Sequence, residues 1–78
     1  MIGFLSGTIQ KTNSYLIVQT NGGVGYKVEV SLSLLATLQE GEEASLYIYT
    51  HVKEDALKLF GFKSQKDLSL FELVLSVS

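Results

Sequence analysis

"VEVSLSLLATLQEGEEASLYIYTHV", residues 28–52, decides the fold, because the period of its apolar residues changes twice. Val28 and Val30 alternate with Glu29, as a half-buried strand requires. Ser31 then offers an N-cap, Leu32, Leu35 and Leu38 recur at helical spacing, and Gly41 supplies a stop, which predicts a short helix. From Ala44 the period returns to two. Leu46, Ile48, Thr50 and Val52 fall on one face of a long strand, and Tyr47, Tyr49 and His51 on the other.

Upstream of this stretch the chain reads as strands. "MIGFLSGTIQ" places Ile2, Phe4, Ser6 and Thr8 on one face and Gly3, Leu5, Gly7 and Ile9 on the other. Its glycines suit sharp coiling or close backbone approach. "KTN" is turn-like, with Asn13 expected to take a left-handed conformation. "SYLIVQT" is a β-branched and aromatic second strand, and "NGG" at 21–23 is the strongest hairpin signal in the chain. In "VGYKVEV", Val24, Tyr26, Val28 and Val30 are expected inward.

Downstream, "KED" (53–55) is a tight tip leading into a fifth strand, "ALKLFGF". "SQKDLSLFELVLSVS" opens on Ser64 and Asp67 in capping-box positions, followed by an apolar stripe of Leu68, Phe71 and Leu75 flanked by Leu70 and Val74. The stripe reaches Ser78 without a C-cap residue, so the helix is expected to continue beyond it. Three strands, a short helix between strands 3 and 4, then two more strands is the order of the OB-fold. The expectation is therefore a mostly β, five-stranded Greek-key barrel followed by the start of a C-terminal helix. An SH3-like barrel is the competing reading. The barrel is expected over residues 1–62, with 63–78 a linker and the start of a second element.

Composition bounds the function. The chain has 78 residues, 46% of them hydrophobic and 18% charged, which argues for one globular domain. A chain this short buries only about 60% of its unfolded surface, so part of its apolar excess is expected to face another subunit or a neighbouring unit. There is no Cys, so neither a disulfide framework nor a thiolate metal site is available. The net charge of −2, with every cation a Lys, is unlike a domain that grips nucleic acid alone. The N-terminus lacks a basic start and a long apolar core. No apolar run approaches the length a membrane span needs, and the expectation is a cytoplasmic chain without membrane contact.

Individual signals were weighed in the same way. "NGGVGY" resembles a phosphate-cradling loop, but such loops open a helix and this one runs into a strand. His51 is the sole His, so it has no partner for a metal cluster. Glu54 and Asp55 are adjacent in an extended tip, so their side chains diverge, and no nucleophile accompanies them. Catalysis and cofactor chemistry are not expected. Tyr26 reads as core, while Tyr47 and Tyr49 stay open between packing and base stacking.

Physical reading reaches a small barrel with an acidic tip, and resemblance reaches further. "MIGFLSGTI", "GGVGYKVEV", "VKEDALKLFGF" and "FELVLSVS" together resemble the N-terminal part of the RuvA family, Holliday-junction-binding subunits of the bacterial branch-migration complex. The resemblance implies a non-catalytic OB domain that assembles as a homotetramer or octamer and holds a four-way DNA junction open. It implies an ATPase motor partner, RuvB, and a resolvase partner, RuvC. It also implies that residues 63–78 begin a truncated helix-hairpin-helix domain, the part that grips DNA. Glu54 and Asp55 fall on the family's acidic pin at the junction centre, and Lys53 becomes a candidate DNA-backbone contact. No cofactor or metal is implied. The chain departs from the family at Phe4 and Ser6, where basic residues are frequent, and at Lys53, where Arg is usual. The last change removes planar bidentate phosphate binding. The alternative is a generic OB module that binds single strands or another protein.

Overall fold

The computed structural model describes residues 1–77. Its elements run β1 (Phe4–Lys11), β2 (Leu16–Gln19), β3 (Gly25–Val28), α1 (Leu32–Thr37), β4 (Glu43–Lys53), β5 (Ala56–Phe62) and α2 (Gln65–Val77). Helix and strand types follow the order expected, at shorter lengths for the early strands. The five strands form one sheet in the order β3-β2-β1-β4-β5, every neighbouring pair antiparallel. Its two edges meet at Glu29, whose N–H donates to Leu59 O and whose carbonyl accepts from Gly61 N–H, both at 2.8 Å. This parallel bridge between Glu29 and Phe60 draws the sheet into the OB-type barrel. Gly61 is placed where strands crowd: a β-carbon there would lie 2.7 Å from Val28 Cγ1.

Alternation fills the barrel. Leu5 and Ile9 from β1, Leu16 and Val18 from β2, Val28, Leu46, Ile48 and Leu59 are buried in one cluster, capped by Leu35 of α1. The "NGG" hairpin forms as expected, with Thr20 N–H bonded to Val24 O at 2.9 Å and Gly23 at φ +93°. Ser31 caps α1 by accepting from Leu34 N–H at 3.1 Å, and Ser64 caps α2 by accepting from Asp67 N–H at 3.2 Å.

Several expectations are corrected. Asn13 is not left-handed, since no residue other than glycine has positive φ among the described residues. The Thr12 hydroxyl holds that turn instead, bonding Tyr15 O at 2.8 Å and accepting the N–H groups of Ser14 and Tyr15. The core face of α1 is Leu34, Leu35 and Leu38, while Leu32 is 74% exposed, because a helix of six residues presents only one narrow face to the barrel. That helix ends at the extended Leu38 before it reaches Gly41. Val24 and Val52 have the inward phase but lie beyond the barrel's rim and are exposed. In α2, Leu68 and Phe71 pack on the sheet, whereas Leu70 and Val74 face solvent. The call for continuation at Ser78 lies outside the described residues.

Candidate functional site

Strands β4 and β5 pair from Tyr47↔Phe62 out to Lys53↔Ala56, so Glu54 and Asp55 alone form the turn. Neither takes a positive φ, so the turn is not of the primed type that two-residue hairpins favour. The four residues Lys53–Ala56 are exposed. No ion pair or hydrogen bond engages the side chains of Lys53, Glu54 or Asp55 among the described residues; the one ion pair there joins Lys58 to Glu29 at 4.0 Å. The structure thus brings the three candidate residues to one projecting tip and leaves their charges unspent on the fold.

The hairpin carries different chemistry on each side. Directly opposed residues of an antiparallel pair share a face. On the outer face His51 lies opposite Lys58, with Lys53 beyond them. On the inner face Thr50 and Leu59 are buried, but the next pair outward, Val52 and Leu57, is 63% and 60% exposed. This exposed apolar pair was missed in the sequence. A register count from a two-residue tip could have found it, since 52 must then oppose 57.

The tyrosines left open are now placed. Tyr49 lies under α2, its ring centroid 5.5 Å from Phe71, and Phe71 also packs on Phe60 at 5.6 Å and Phe62 at 5.0 Å. Tyr49 is therefore a packing residue. Tyr47 meets Phe4 edge-on at 5.3 Å on the sheet's outer surface. His51 stacks beside Tyr49 at 6.4 Å. Among the described residues there is no cluster of three or more His, Cys, Asp or Glu that could hold a metal, and no helix long and apolar enough to cross a membrane.

Comparison with known proteins agrees with this geometry. Residues 1–61 match the family model described as RuvA N terminal domain. Along its whole length the chain is 47% identical to a protein of Halothermothrix orenii named Holliday junction branch migration complex subunit RuvA. It is 42% identical to the protein of that name from Acetivibrio thermocellus and 44% identical to that from Rickettsia bellii, again over the whole chain. The chain spans only 38% to 40% of the length of these relatives.

Proposed function

The chain belongs to the RuvA N-terminal domain family, and from that membership we propose that it is the non-catalytic scaffold domain of a Holliday-junction-binding protein. The domain supports branch migration in recombination and repair, with ATP hydrolysis supplied by a partner motor, RuvB. Residues 1–62 serve as the barrel unit, and residues 63–78 as linker and first helix of a DNA-gripping helix-hairpin-helix unit. The assembly is a homotetramer or octamer, works in the cytoplasm, and shares its junction with the resolvase RuvC.

One observation carries this reading: the carboxylates of Glu54 and Asp55 stand at an exposed tip with no partner among the described residues. Arranged about a symmetry axis, every copy's pair would converge on the crossover. A carboxylate and a phosphate in a watery site repel by about 1 kcal/mol at contact distance, and more strongly where water is excluded. Continuous duplex is thereby disfavoured at the centre and separated strands are not. Lys53, one residue back, balances that repulsion by contacting backbone phosphate as a point charge.

A generic single-strand-binding OB module is less well supported. Such modules stack bases on exposed aromatic rings, and here Phe71 covers Tyr49, Phe60 and Phe62.

The test uses the full-length protein, titrated against a four-way junction and a linear duplex at several salt concentrations. A junction preference that Glu54→Gln with Asp55→Asn narrows is the expected result. Equal affinity for both DNAs in the unsubstituted protein would overturn the reading.

A further inference from the structure

The acidic tip leaves the apolar pair behind it unexplained. Val52 and Leu57 are cross-strand partners, share the inner face of the hairpin, and are exposed although their phase is that of the core. One residue pair, Lys53↔Ala56, separates them from the tip, a distance of roughly 7 Å along the strands. Hairpin stability does not require leucine and valine there, since a polar β-former pairs as well in water.

The surroundings of the pair restrict what it can meet. Lys53, Glu54, Asp55 and Lys58 border it, and all are exposed. The apolar strip is one side-chain pair wide, far below the roughly 800 Å² per partner of a stable protein interface. A single planar apolar face fits it. Where phosphates are repelled by Glu54 and Asp55, the bases next to the parted crossover lose a stacking neighbour. Apolar side chains such as leucine are what proteins commonly place against an unstacked base step.

Resting on the junction reading above, we infer that Val52 and Leu57 form an apolar plate that receives the face of an unstacked nucleobase at the crossover. The tip then acts in two ways on one hairpin: the carboxylates keep phosphates out, and the plate compensates the base that loses its stack. The contact is indifferent to base identity, because every base has an apolar face. This suits a complex through which sequence must pass during migration.

The test is Val52→Thr with Leu57→Thr in the full-length protein. Thr keeps β-propensity and cross-strand pairing while removing most of the apolar surface. Junction affinity should fall about tenfold, the scale of losing contact with one apolar side-chain pair. The slope of log affinity against log salt should not change, because no phosphate contact is lost. Duplex affinity and oligomer mass should also be unchanged. Wild-type junction affinity in the variant would overturn the plate, and so would dissociation of the oligomer, which would make the pair a subunit contact. Failure of the junction reading is recognised separately, because the unsubstituted protein would then show no preference for the junction.

Discussion

The two ends of β4 are both acidic turns, and they use their carboxylates in opposite ways. At the entrance, Glu40 Oε1 accepts the Lys11 N–H at 2.7 Å, Glu42 Oε1 accepts the Gln39 N–H at 2.5 Å, and Glu43 Oε2 accepts the Thr8 hydroxyl at 2.6 Å. The same turn is laced to β1 through backbone bonds between Ile9 and residues 41 and 42. At the exit, Glu54 and Asp55 hold nothing among the described residues. Acidic residues in a turn are therefore not evidence of a site by themselves. Their engagement decides, and only the exit turn has charge left for a ligand.

The inward face of β4 repeats the contrast along its length. Leu46 and Ile48 are buried, Thr50 is buried with its hydroxyl donating to Ile2 O at 2.5 Å, and Val52 is exposed. The largest expected effect lies at the buried end. Leu46→Ala should cost about 2–5 kcal/mol through lost transfer energy and an unfilled cavity. Leu57→Ala, on the same face one strand over, should stay within about 0.5 kcal/mol. Thermal unfolding distinguishes them, since 1 kcal/mol moves Tm by roughly 4–8 °C in a domain of this size. Comparable losses for both would mean that the hairpin tip packs in solution and that the contrast is wrong.

Next in size are the carboxylates of the entrance turn. Glu40→Ala with Glu42→Ala leaves the N–H groups of Lys11 and Gln39 without those acceptors. A loss of about 1–3 kcal/mol is expected for the two charge-assisted bonds, reduced because both sites are open to water. Guanidinium denaturation measures it through a lower midpoint at unchanged slope. No loss would mean these bonds are incidental to the fold.

Much of this was legible in the sequence, and the failures share a cause. Period change at Ser31 and Ala44 gave the element order, and the caps Ser31 and Ser64 were read directly, because they depend on neighbours in sequence. The phase of β4 was also correct. Phase gives the side on which a residue stands, not whether anything lies on that side, so Val52 and Val24 were assigned inward although the barrel ends before them. Leu32 failed for the same reason. The role of Glu40, Glu42 and Glu43 was invisible, because their partners on β1 are distant in sequence. Glu54 and Asp55 were legible as a tip, since a break between two strand patterns needs no tertiary information. Their freedom from partners was not, and it is that freedom which carries the functional reading.

The smallest expected effect on stability is at the exit turn. Glu54→Gln with Asp55→Asn removes two negative charges, taking the net charge from −2 to 0 (−2 + 2 = 0). Neither carboxylate has an ion pair or hydrogen bond to lose among the described residues, and both residues are exposed. The amides keep side-chain size and hydrogen-bonding capacity, and Asn is at least as good a turn residue as Asp. Removing two adjacent like charges also relieves a small mutual repulsion, greatest at low salt. The chain carrying residues 1–78 should therefore melt within about 0.5 kcal/mol of the unsubstituted chain, and not below it at low salt. Together with narrowed junction preference in the full-length protein, this result would separate a functional tip from a structural one. A loss of about 1 kcal/mol or more in the thermal melt would make Glu54 and Asp55 turn-forming residues, and the two ends of β4 would then be alike.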